Sequence, residues 1–160
     1  LEPRERDRLR EVGAALVHCP TSNTFIGSGL FDMAGLQAEG HRIGLATDTG
    51  GGSSFSMLRT MAAAYEVAQL RGTALHPAQL LWLATEGSAD ALGFAGRIGR
   101  IAAGAEADLI TLDPAASPAL AQRCAQSNSV AETLFALIML GDDRAVGDVW
   151  IAGKRRKGPA

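Results

Sequence analysis

Residues 42–59 read RIGLATDTGGGSSFSMLR, and this stretch decides the fold. An apolar strand over 42–46 runs into a single acidic residue, Asp48. Three glycines follow, Gly50, Gly51 and Gly52, and then a helix begins. In a parallel α/β fold the chemistry gathers where strands end and loops begin. A carboxylate there, beside backbone that glycine lets approach a ligand closely, is a candidate metal ligand or general base.

Working outward, the spacing predicts a helix over 4–12 ended by Gly13, with Pro3 in its first turn. A short buried strand over 14–17 leads into His18-Cys19-Pro20, and a polar loop spans 21–29. A helix over 30–39 ends at Gly40, before the strand at 42–46. Helix, strand, loop, helix, strand is the alternation of parallel βα units. Downstream, Leu58, Met61, Ala62, Tyr65 and Gln69 follow helical spacing over 55–70, with Ser53 or Ser54 available as the cap. Pro77 opens a helix over 78–85, and 87–92 forms another.

The pattern changes after Gly93. Residues 97–101 and 104–113 read as short β segments joined by glycine turns. Residues 114–128 form a loop or loose helix. Val130, Leu134, Leu137 and Ile138 mark a last amphipathic helix, and 146–152 reads as a strand before a turn at Gly153-Lys154. The chain therefore divides into βα units over 1–95 and a β-rich part with one helix over 96–160. Lys154-Arg155-Arg156-Lys157-Gly158-Pro159 reads as a solvated tail.

Composition bounds the function. Of 160 residues, 47% are apolar and 20% charged, which suits a packed globular fold. A formal net charge of −2 offers no general attraction to nucleic acid or anionic lipid. No apolar run reaches the length of a membrane span. Two cysteines, Cys19 and Cys124, make no disulfide scaffold, and a reducing cytoplasm is the expected setting.

Asp48 has two readings. It closes a metal site or takes a proton from a metal-bound water, or it caps the next helix and hydrogen-bonds the glycine loop. Neither a G-x-G-x-x-G nor a P-loop lysine accompanies the glycines, so a phosphate cradle is a weak reading. In His18-Cys19-Pro20-Thr21-Ser22-Asn23, His18 would orient a ligand and Asn23 would brace Asp48 or its loop; the plainer reading makes His18 and Cys19 buried groups at a strand end. His41 and His76 read as exposed or capping. No H-x-H, H-E-x-x-H or C-x-x-C occurs, so these residues assemble no ordinary catalytic zinc site by themselves.

Three runs carry a resemblance: 18–23, HCPTSN; 27–31, GSGLF; and 44–59, GLATDTGGGSSFSMLR. With Leu83-Ala84-Thr85, 89–93 ADALG, 104–109 GAEADL and 134–144 LFALIMLGDDR, they resemble the guanine deaminases, within the amidohydrolase superfamily. The resemblance covers nearly the whole chain.

That resemblance implies the C-terminal part of a distorted (β/α)8 amidohydrolase barrel plus part of a small β-sandwich. It implies one catalytic zinc, with Asp48 as the ligand ending the last strand and as the residue touching substrate and activated water. The remaining ligands, the proton-shuttling glutamate and the guanine-recognising groups would lie upstream of Leu1, in a longer polypeptide that is a homodimer. The implied reaction is hydrolysis of guanine to xanthine and ammonia by a zinc-activated water, with this chain alone inactive. An amidohydrolase acting on another aminated or chlorinated heterocycle is the rival, and a non-catalytic remnant domain is the reading from a different class. A barrel cut in this way is expected to leave an unpaired strand edge on each side.

Overall fold

The computed structural model describes residues 1–158. Helix α1, Pro3–Glu11, starts with Pro3 in its first turn and a reciprocal Glu2–Glu5 capping box, and buries none of its residues. Arg6 and Arg10 reach Glu39, which ties this charged helix to the rest of the chain. Strand β1, Leu16–His18, then runs parallel to β2, Ile43–Leu45. Between them lie α2, Pro20–Ile26, and α3, Met33–Ala38.

Two expectations are corrected in this crossover. Residues 21–29, read as a loop, are mostly helix α2: Pro20 sits in its first turn, and Gly27 ends it at φ +75°. Small polar residues that read as loop here instead face the strand ends, and Thr21 and Ser22 are buried. The second helix starts three residues later than expected, because the Asp32 carboxylate caps it by accepting from Gly35 N–H.

Beyond the glycines comes α4, Met57–Leu70, followed by α5, Pro77–Ala84, and α6, Glu86–Ala91. The α4 cap is Ser56, whose hydroxyl accepts from Arg59 N–H, rather than Ser53 or Ser54. His76 caps α5 through Nδ1, as expected. After α6 the chain turns repeatedly. Residues 97–101 form no strand: Gly99 lies at φ +85°, where a Cβ would stand 2.8 Å from Thr85 O and 2.9 Å from Glu86 Cα. Of residues 104–113 only β3, Leu109–Leu112, pairs.

Helix α7, Pro118–Ala125, and helix α8, Val130–Leu140, are capped by Ser117 and Ser129. Strands β4, Val146–Ile151, and β5, Lys154–Lys157, complete a three-stranded antiparallel sheet in the order β3-β4-β5. The basic run is thus an edge strand and not a free tail. Arg155 pairs with Asp148, and Lys157 donates to Val146 O. Pro159 lies outside the described residues. Charge along an edge strand also discourages further strand pairing.

One apolar core joins both parts of the chain. Ile43 and Leu45 of β2 share it with Met61, Leu80 and Leu83, and also with Leu120 and Ile138 from beyond residue 96. The last residues of both strands, His18 and Leu45, are buried, and the chain beyond β2 reaches the surface at Asp48.

Candidate functional site

Alternation along the two parallel strands sorts their side chains. Leu16, His18, Ile43 and Leu45 share one face, and Leu16, Ile43 and Leu45 pack into the apolar core; the partners Val17 and Gly44 lie on the other face, where Gly44 abuts Ser88 and Ala91 of α6. Cys19 and Asp48 lie just beyond the strand ends. Burial first, and the neighbouring Asp48 carboxylate second, push the Cys19 thiol above its ordinary value.

Asp48 itself lies at φ +48°, a left-handed conformation that costs most residues about 1 kcal/mol or more. A tight loop holds it there. Gly51 N–H and Gly52 N–H both donate to Asp48 O, at 3.1 and 2.6 Å. Gly50 takes φ +127°. A Cβ on Gly51 would stand 2.8 Å from Ser22 Oγ, and one on Gly52 would run into the Thr47 carbonyl oxygen. Glycine is therefore required at 52, where the clash is with backbone; at 51 the Ser22 hydroxyl would have to move aside. Thr21 on α2 donates to Thr47 O, and Thr49 donates to Ser54 O, so both flanks of the loop are pinned.

The side chain these contacts hold up is free. Among the described residues no hydrogen bond or ion pair reaches the Asp48 carboxylate, which is exposed. The helix-cap reading does not hold, since Ser56 performs that task for α4.

His18 is 1% exposed, stacked on Phe31 with ring centroids 4.8 Å apart, and its Nδ1 has no partner among the described residues. Burial lowers its pKa to about 4. Its side chain lies on the Leu16 face of β1, opposite the face of Val17 and Gly44, so it packs the core. Asn23 sits on α2, where its carbonyl accepts from Ser28 N–H. Its side chain makes no hydrogen bond to Asp48 among the described residues, and it lines a separate surface cavity of about 300 Å³ with Arg6, Ser28 and Asp32. His41, expected exposed or capping, is buried, with Nε2 3.7 Å from Glu39 Oε2. Its position after Gly40 hid this, because no local pattern signals the burial of a histidine between a helix end and a strand start.

Among the described residues no three His, Cys, Asp or Glu side chains come together to hold a metal. Asp48 can supply one carboxylate ligand. The sequence offers Thr21 and Ser22 as hydrogen-bonding groups on the side of Asp48; the structure places both on α2, buried, with Thr21 bonded to Thr47 O.

Residues 1–156 match the sequence pattern of the Amidohydrolase family. This chain is an amidohydrolase family member. Guanine deaminase of Escherichia coli (strain K12) is 39% identical over 154 residues, covering 96% of this chain and 35% of that protein. The solved E. coli guanine deaminase superposes with a TM-score of 0.96 at 38% identity, covering 100% of this chain and 38% of that one. An adenosine deaminase from Xanthomonas campestris, solved with bound zinc, superposes with a TM-score of 0.81 at 31% identity, covering 99% of this chain and 35% of that one. This amidohydrolase chain thus spans about a third of the length of the relatives it matches. The mixed α/β fold expected from the resemblance is borne out.

Proposed function

We propose that this chain supplies the last strands of a zinc-dependent guanine deaminase that hydrolyses guanine to xanthine and ammonia. One observation carries the reading: an exposed carboxylate, Asp48, stands without a partner among the described residues just beyond the end of β2, on a left-handed turn locked by glycines. Likeness to E. coli guanine deaminase along nearly the whole chain supports the choice of substrate.

Asp48 fits a metal ligand in chemistry, being an oxygen donor with no competing hydrogen bond. Zinc, when bound, brings a water's pKa down to about 7. Asp48 would be the carboxylate that this chain offers for holding the metal and, among the described residues, the only group at this strand end that could take up a proton as a carboxylate base. Thr21 keeps the strand end in place through Thr47 O. The glycines keep side chains from crowding the carboxylate. The other ligands and the groups recognising guanine would come from polypeptide beyond this chain. The same reading carries a homodimeric assembly and a cytoplasmic setting. A second reading, an aminated purine other than guanine, is favoured by the likeness to the Xanthomonas adenosine deaminase.

The test compares parent and Asp48→Ala in the longest polypeptide that contains this chain, measuring xanthine formed and zinc bound. Removing a direct ligand should cost more than the roughly 10–100-fold typical of groups that only support ligands. Undiminished turnover and zinc content in the variant would sink the assignment.

A further inference from the structure

The outer edge of β2 is closed by a side chain. Leu16 N–H donates to Arg42 O and Ala46 N–H to His18 O, so the alternate groups of residues 43 and 45 point away from β1. At Leu45 that outward edge meets Ser88 of α6. Leu45 N–H donates to Ser88 Oγ at 3.0 Å, and Ser88 Oγ lies 3.2 Å from Leu45 O and 2.7 Å from Leu83 O. One hydroxyl has a single proton, which it directs to one or the other of these two carbonyls. Ser88 thereby does at Leu45 what a neighbouring strand would do, and the unpaired edge expected on this side of the pair is satisfied there. Gly44 makes the approach possible: a Cβ there would stand 3.2 Å from Ser88 Oγ and 3.3 Å from Ala91 Cβ.

Leu45 lies three residues before Asp48. We infer that Ser88 is a positioning residue for Asp48, fixing β2 from its outer edge at the point where β1 fixes it from the inner one. The inference rests on the reading of Asp48 as the functional carboxylate. Thr21 pins Thr47 O from α2. Ser88 pins the same strand from α6, so the exit direction of the chain into the glycine loop is set from two sides.

Ser88→Ala removes the hydroxyl and leaves a good helix former in its place. Ser88→Thr keeps the hydroxyl and serves as the rescue variant. Amide hydrogen exchange reports on Leu45 N–H, and on Gly51 and Gly52 N–H, which bond Asp48 O. Exchange of α4 amides provides the reference for global stability. In Ser88→Ala, Leu45, Gly51 and Gly52 should exchange at least about tenfold faster relative to α4, and Ser88→Thr should restore parent rates. In the guanine assay on the longer polypeptide, Ser88→Ala should lower kcat about tenfold with KM little changed. Acceleration confined to Leu45, with kcat unchanged, would overturn the inference. A parent that turns over no guanine would overturn the proposed function instead, and exchange at Gly51 and Gly52 would then decide the role of Ser88.

Discussion

Asp48 and Ala152 share one backbone conformation and differ in everything else. They are the two non-glycine residues at positive φ among the described residues, at +48° and +49°. Ala152 turns the β4–β5 hairpin with Gly153, which follows at φ +72°. Its N–H donates to the Asp108 carboxylate at 2.7 Å, and the charges around it are matched: Arg155 with Asp148, Lys157 with a backbone carbonyl. Its methyl group does nothing that glycine or asparagine would not do better in such a turn. Asp48 lies in the loop after β2, pinned by threonines and glycines, while its carboxylate has no partner among the described residues. Equal strain therefore has unequal meaning. Where the side chain is idle, the strain is a dispensable feature of a turn. Where the fold holds up a free carboxylate, the strain belongs to a candidate site.

The largest effects should separate the two regions most sharply. Gly52→Ala forces a Cβ against the Thr47 carbonyl oxygen and should cost about 3 kcal/mol, read by urea unfolding. A loss below about 1 kcal/mol would mean that the Asp48 loop is less tightly built than the hairpin.

His18, at the end of β1, should make the stability of the chain depend on pH. In the folded chain it stays neutral down to about pH 4, because burial disfavours the imidazolium; unfolded, it titrates near 6.5. The unfolded state therefore binds the extra proton between these values. This contribution is fully present above pH 6.5, falls as pH drops, and levels off below pH 4, a span of about 3 kcal/mol. Unfolding free energies at neutral and acid pH should show this slope in the parent and lose it in His18→Leu. An identical slope in both would place the titration elsewhere.

The direct contest between the two strained residues is smaller. Ala152→Asn should stabilise the chain by up to about 1 kcal/mol and leave function untouched. Asp48→Gly should change stability by no more than about 1 kcal/mol while removing the proposed metal ligand. If Asp48→Gly instead proved strongly destabilising, the carboxylate would have a structural partner and the contrast would collapse. Least of all, Arg155→Ala breaks an exposed ion pair and should cost no more than about 1 kcal/mol in thermal unfolding, less at high salt.

Much of the fold was legible because its signals are local. The apolar run into Asp48, Pro77 at a helix start and the 3.6-residue rhythm of Leu134, Leu137 and Ile138 each dictate their own element. Misreadings fell where small polar residues serve tertiary packing. Thr21 and Ser22 look like loop and form a buried helix turn against the glycines. Residues 97–101 read as a short β segment, yet Gly99, at φ +85°, turns the chain against Thr85 at the end of α5. Ser56 outcompeted two neighbouring serines as cap, which only the final helix start could decide. The basic run 154–157 reads as a tail until β4 is there to pair with it.

From sequence alone came the parallel βα character, the candidate carboxylate at a strand end and the need for glycine after it. These follow from hydrophobic period and backbone sterics, which act within a few residues. Tertiary structure decided which face each side chain takes. It sent His18 into the core, left the Asp48 carboxylate unpartnered and brought Ser88 to the edge of β2 from 43 residues away. Contacts between distant segments depend on how helices settle on strands, and no local pattern encodes that geometry.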